Sequence, residues 1–184
     1  MLCDKYLAKN KDFSNYAELR ENYKISIPKD FNFAYDVVDY YAEHEGQKTA
    51  LVWCDDNGNE KIFTFDSLAK CVNRTANFLK AHGIKKGDAV MLILRRRYEF
   101  WFFILALHKI GAIAVPATQL LLQSDIEYRN NAAGIKMIVS FDEPKLLAEI
   151  EKAMPVSKTV ESLVTVSQSA REGWIQFYAE YDDC

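Results

Sequence analysis

The 184-residue sequence predicts an α/β fold: a mainly parallel sheet with helices on both faces, preceded by a β-hairpin. Three observations carry this expectation. The run Ala89-Val90-Met91-Leu92-Ile93-Leu94 holds no polar residue. It is too short for a helix and lacks the alternation of a strand with one wet face, so it suits a strand covered on both sides. From Asp66 onward, β-prone runs alternate with helical periodicities at the interval of crossover units, which join parallel strands. Further upstream, two β-prone runs flank Asn57-Gly58, a strong hairpin-turn dipeptide.

Taken in order, the first segment is polar and aromatic, with a loose helical pattern in Phe13, Tyr16, Ala17, Leu19 and Arg20 that fades near Asn22. After Pro28, the spacing of Phe33, Val37, Val38, Tyr41 and Ala42 predicts an amphipathic helix ended by Gly46. Thr49 to Cys54 and Lys61 to Phe65 are the hairpin strands. Asp66 or Ser67 can then cap a helix that buries Leu68, Ala69, Val72, Ala76, Phe78 and Leu79 and stops at Gly83. Strand 89–94 follows, then a helix from Tyr98 to Ile110 and a strand over 112–115. Ser124 is the predicted cap of a helix reaching Ala133, and Gly134 stops it. Met137 to Val139 is a strand, Pro144 suits the first turn of a helix running to Met154, and Leu163 to Val166 is the last strand. The tail from Ser167 to Cys184, with Trp174, Phe177 and Tyr178, has no terminal cap and looks cut rather than finished.

The bulk composition excludes several classes. Hydrophobic content of 49% and charged content of 27% are those of a globular protein, and the length suits one domain. A net charge of −3 offers nothing to a nucleic acid. Cys3, Cys54, Cys71 and Cys184 form no Cys-x-x-Cys pair, which argues against zinc. The start Met1-Leu2-Cys3-Asp4-Lys5 lacks the apolar core of a signal peptide, so the expected location is cytoplasmic. Phe100 to Leu107 is interrupted by His108 and Lys109, short of the roughly 20 apolar residues of a membrane span. Asn73-Arg74-Thr75 matches a glycosylation acceptor but falls in a predicted helix, where it reads as a chance match.

One set of residues carries a family resemblance. Gly87-Asp88 opens the apolar strand, Glu99 enters the next helix, and Gly111-Ala112 leads into a strand closed by Pro116. With Phe31 to Asp39 upstream and Ser124 to Arg129 downstream, this resembles the opening portion of the AMP-forming acyl-CoA synthetases, in their medium-chain or acetate-like branch. These belong to the adenylating superfamily that also includes luciferases and peptide-synthetase adenylation domains. The resemblance runs from about Phe31 to Trp174. It implies an N-terminal extension over 1–30 and, over 31–184, the N-terminal part of an AMP-binding domain, a fragment truncated before the ATP phosphate loop. It also implies ATP, coenzyme A and magnesium as cofactors of the complete enzyme, and a small-molecule carboxylate as substrate.

The seven glycines never form Gly-x-Gly-x-x-Gly or Gly-x-x-x-x-Gly-Lys, so neither familiar phosphate cradle is present. Arg95-Arg96-Arg97, at a strand end, can take a phosphate or carboxylate through bidentate hydrogen bonds, or can be a solvated loop paired with Glu99. The resembled family commonly has proline where Arg95 stands, and asparagine or arginine where Arg96 stands. It places an arginine near Arg129 on the phosphates of coenzyme A and a polar residue near Gln119 or Leu120 on the same cofactor. The alternative for Arg129 is an ion pair with Asp125 one turn back. Cofactor-binding candidates are therefore Gln119, Leu120, Arg129 and Arg96, with no catalytic and no metal-binding residue. His44, His82 and His108 have no nucleophile partner in a recognisable motif. Phe100, Trp101, Phe102 and Phe103 read as core, or in part as the wall of an acyl pocket.

Two readings follow. In the first, the chain is part of an acyl-CoA synthetase that is inactive alone. In the second, it is a non-catalytic binding or scaffold module. The first reading predicts self-association, with the aromatic tail, which has nothing after it to pack on, as its main contributor, whereas a self-sufficient module stays monomeric.

Overall fold

The computed structural model describes residues 5–6, 12–167 and 169–181, so Cys3 and Cys184 lie outside the described residues. Helix α1 (Tyr16–Asn22) starts where the Asn15 side chain accepts a hydrogen bond from the Glu18 N–H at 3.0 Å, and it buries nothing. Ala34–Asp39 is a π-helical stretch that runs into α2 (Tyr40–Glu45). This corrects the predicted stripe. The wider turn brings Ala34 and Val38 inward and leaves Phe33 47% exposed. Asn32 fixes the entry, accepting from the Ala34 N–H at 3.0 Å while its amide donates to the His108 carbonyl at 2.7 Å. Gly46 closes the helix in a right-handed conformation rather than as a left-handed cap, with φ −54°, and its lack of a side chain is set by space, since a Cβ there would lie 2.6 Å from the Ala42 carbonyl oxygen.

Strands β1 (Thr49–Cys54) and β2 (Glu60–Thr64) form the expected antiparallel hairpin, with Val52 opposite Ile62 and Trp53 opposite Lys61. At its tip the Asp55 carboxylate takes the N–H groups of Asn57 and Asn59, both at 2.9 Å, and Gly58 supplies the left-handed residue, φ +80°. The second strand ends one residue earlier than predicted. Thr64, not Asp66 or Ser67, caps α3 (Phe65–Ala81): its hydroxyl accepts from the Ser67 N–H at 3.2 Å and the Ser67 hydroxyl accepts from the Thr64 N–H at 2.9 Å. The predicted stripe of α3 is buried, with Thr75 added.

Then follow β3 (Ala89–Ile93), α4 (Glu99–Ile110), β4 (Ile113–Pro116), α5 (Gln123–Ala133), β5 (Ile135–Phe141), α6 (Pro144–Ala153), β6 (Ser162–Val166), β7 (Ile175–Gln176) and α7 (Phe177–Glu180). Ser124 lies inside α5 rather than capping it; the Asp125 carboxylate takes the Leu122 N–H at 3.3 Å instead. The five strands are parallel in the order β4-β3-β5-β6-β7. Every residue of β3 is buried, and Leu92 pairs with Pro116 on one side and Val139 on the other. The path from β3 steps one way to β4 and then back across β3 to β5. Right-handed crossovers therefore put α4 on one face and α5 and α6 on the other. The packing agrees, with α3 against α4 and α5 against α6. The sheet is thus doubly wound, and its direction reverses between β3 and β5.

The tail corrects another expectation. Trp174 and Phe177 are buried, and the Phe177 ring meets Phe78 edge to face and Phe103 at a tilt, with centroids 5.1 Å and 4.8 Å apart. Glu151 of α6 accepts hydrogen bonds from the Trp174 indole and from Nε and Nη2 of Arg171, at 2.8 to 2.9 Å. The aromatic tail is part of the core and not an uncovered surface.

Candidate functional site at the strand ends

In a doubly wound sheet, ligands bind beyond the C-terminal strand ends, where the winding direction reverses. Here that position is flanked by the loop after β3. The loop carries Arg95, the one non-glycine residue with positive φ among the described residues, at +54°. A proline, fixed near −65°, could not take this conformation, so the residue that stands here sets the loop shape. On the β4 side of the loop a cavity of about 580 Å³ is lined by Leu92, Leu94, Arg95, Arg96, Phe100, Pro116, Ala117, Thr118 and Gln119. On the hairpin side a smaller crevice of about 250 Å³ lies among Trp53, Cys54, Asp55, Asp56, Arg95, Arg96, Arg97 and Phe141.

The loop is pinned from three directions. The Trp53 indole donates to the Arg96 carbonyl at 2.7 Å, and the Arg97 N–H donates to the Leu94 carbonyl at 3.2 Å. The Arg97 guanidinium grips Glu99 through Nε at 3.2 Å and Nη2 at 2.9 Å. Glu99 is fully buried at the start of α4, and the Tyr178 hydroxyl donates to it as well. A carboxylate in apolar surroundings persists only with such partners. Burial works against the Arg97 charge, but the Glu99 hydrogen bonds and negative charge outweigh it and raise its pKa. Burial, reinforced by the Glu99 charge, pushes the Tyr178 phenol far above its ordinary range, so it stays a hydrogen-bond donor.

Of the four predicted cofactor contacts, the structure brings Arg96 and Gln119 to the same cavity. Leu120 follows Gln119 and is 76% exposed, its side chain outside that lining. Arg129 lies on α5 away from the cavity wall. It donates to the Asp125 carbonyl at 3.0 Å and faces the Asp125 carboxylate at 3.6 Å, the pairing weighed against a cofactor role. The predicted aromatic cluster divides: Phe102 and Phe103 are core, Phe100 lines the cavity, and Trp101 is 47% exposed. Sequence reasoning missed Trp53, Tyr98 and Tyr178 around the loop. Trp53 and Tyr178 come from distant segments, Tyr98 read only as the start of a helix, and the pairing of Arg97 with Glu99 alone had a local signal. Among the described residues no group of three or more His, Cys, Asp or Glu side chains is placed to hold a metal ion. No helix among them is long and apolar enough to cross a membrane.

Fold and crevice together define a doubly wound α/β domain with an open cavity at its strand ends. The chain belongs to the AMP-binding enzyme family, whose model matches residues 38–183. It is 34% identical over 177 residues to the mitochondrial acyl-coenzyme A synthetase ACSM3 of Pongo abelii, covering 93% of this chain and 30% of the relative. The mitochondrial synthetase ACSM5 of Rattus norvegicus is 34% identical over 160 residues, covering 84% of this chain and 27% of the relative. The crystal structure of Brucella canis acyl-CoA synthetase superposes with a TM-score of 0.73 at 27% identity, over 85% of this chain and 28% of that one. An anthranilate CoA ligase, AuaEII, solved with anthranoyl-AMP, shares the fold at TM-score 0.76 and 24% identity, over 85% of this chain and 29% of that one. The match falls in the N-terminal part of the synthetases, and the chain spans 30% or less of the relatives' length. These comparisons overturn the cytoplasmic expectation, because the similar synthetases are mitochondrial proteins. The absence of an apolar leader pattern near Met1 was a poor guide, since that pattern reports secretion and not other compartments.

Proposed function

We propose that this chain is the leading portion of a mitochondrial AMP-forming acyl-CoA synthetase of the medium-chain or acetate-like type. Residues 1–30 are its extension and 31–184 the first part of its AMP-binding domain. In the complete enzyme a carboxylate attacks the α-phosphate of ATP, giving an acyl-adenylate and pyrophosphate. The thiol of coenzyme A then displaces AMP to give the thioester. Magnesium, where bound with the nucleotide, would supply positive charge to offset the phosphates in the first step. This chain contributes the sheet and one wall of the coenzyme A path, with Arg96 and Gln119 facing the ligand, Leu120 beside them and Arg129 one helix away. The observation that carries the reading is the family match over 38–183 together with a strand-end cavity where Arg96 and Gln119 meet.

The test has two arms. The protein in its full native length, given ATP, magnesium, coenzyme A and carboxylates from acetate to octanoate, is expected to show carboxylate-dependent pyrophosphate exchange and thioester formation. The 184-residue chain, whose sequence has no glycine-rich phosphate loop, is expected to show background exchange. No exchange by the full-length protein favours the non-catalytic module; exchange by this chain alone overturns the assignment of roles. Self-association of the chain belongs to the same proposal, with Leu120 and Leu122, 76% and 62% exposed, in place of the aromatic tail.

A further inference from the structure

We propose that Glu99, Tyr178 and Trp53 are positioning residues, a buried clamp and an outer pin that hold the loop after β3 so that Arg95 and Arg96 present a fixed anion-binding pair. The identity of the anion, a phosphate of coenzyme A, rests on the function proposed above; the clamp rests on geometry alone.

The left-handed conformation at Arg95 is disfavoured for a residue with a Cβ and persists only where surrounding contacts over-determine it. Those contacts come from four segments. Glu99 is fixed by its place at the head of α4 and takes the Arg97 guanidinium on both oxygens. Tyr178, on α7, donates to the same carboxylate, and its oxygen lies 3.2 Å from that of Tyr98. Lys61 of β2 donates to the Tyr98 hydroxyl at 2.8 Å. On the outer side the Trp53 indole holds the Arg96 carbonyl. A buried ion pair seldom stabilises a fold more than apolar side chains of the same size would, so its effect is sought in geometry. Here the geometry is specific. Arg97 is neutralised by Glu99, whereas Arg95 and Arg96 are exposed and enter no ion pair among the described residues. Two unpaired guanidiniums on a loop with no slack suit bidentate recognition of a phosphate, because little ordering remains to be done on binding.

The experiment uses the ¹⁵N-labelled 184-residue chain with Tyr178→Phe and Glu99→Gln variants. The Trp53 indole resonance reports its bond to the Arg96 carbonyl, and amide exchange over 95–98 reports loop opening. Tyr178→Phe is expected to shift or broaden that resonance and to speed exchange over 95–98 about tenfold, the equivalent of one charge-assisted hydrogen bond. Exchange in α6 is expected to stay unchanged, which separates loop release from general loosening. Titration with coenzyme A gives the second readout: Arg96→Ala is expected to weaken binding in the parent chain but to add nothing on top of Tyr178→Phe. If Glu99→Gln does not fold, Tyr178→Phe alone decides. A Tyr178→Phe chain with the parental Trp53 resonance and parental exchange over 95–98 overturns the clamp. If coenzyme A does not bind the parent chain, the cofactor assignment fails while the exchange measurement still decides the clamp.

Discussion

Leu92 sits at the middle of β3 with a neighbouring strand on each side and 1% of its surface exposed. Replacing it with aspartate puts a carboxylate where no donor can reach it, and Leu92→Asp is expected to cost about 5 kcal/mol or more. Against a total stability of about 5–15 kcal/mol, that removes soluble expression. A folded Leu92→Asp chain with a normal urea midpoint would falsify the burial of β3. This residue was legible in the sequence because six apolar residues in a row allow no wet face. Glu99 was only half legible. Arg97, two residues away, announced a partner, but the Tyr178 hydroxyl that completes the site comes from 79 residues further along.

The elements that were readable from sequence are those whose signal is local. Helix α3 shows this, since its periodic stripe fixed the buried face, while its start was misplaced because Thr64, Asp66 and Ser67 are all plausible caps. Geometry separates them. The Thr64 hydroxyl takes the Ser67 N–H, whereas Asp66 pairs with exposed Lys70 at 2.8 Å on the helix surface. Thr64→Ala is therefore expected to lower stability by about 1 kcal/mol, and Asp66→Ala by about 0.5 kcal/mol or less. Urea denaturation of the two variants side by side checks the order, and a larger loss at Asp66 would return the cap to the place the sequence suggested. The π-helical stretch over Ala34–Asp39 had no such local signal. It is held by Asn32, whose partner at the end of α4 lies 76 residues away. The two-residue strand β7 is likewise defined by its neighbour β6 and not by any run of its own.

For the whole molecule, burial of the tail changes what an isolated chain offers to its surroundings. Trp174 and Phe177 are 8% exposed or less and Tyr178 is half-buried with its hydroxyl on Glu99, so most of the bulk once expected to drive association is spent inside the fold. Among the apolar side chains that remain outside, which also include Tyr16, Ile25, Ile27 and Tyr128, two pairs lie close together: Leu120 at 76% with Leu122 at 62%, and the facing Val52 and Ile62 at 59% and 63% on the hairpin. Single exposed apolar residues are ordinary on soluble proteins, and association requires them to be contiguous. Leu120 and Leu122 are separated by one residue, buried Leu121, and adjoin the cavity lined by Phe100, Ala117 and Gln119, which makes that edge the more continuous of the two. The 184-residue chain is thus expected to associate through the strand-end edge and not through its tail. In light scattering across a concentration series, the apparent mass is expected to rise for the parent chain and for a Trp101→Ser control, and to stay monomeric for the double variant Leu120→Ser, Leu122→Ser. A parent chain that remains monomeric throughout sinks the association. A double variant that still associates moves it to the hairpin face, where Val52→Ser and Ile62→Ser become the changes that abolish it.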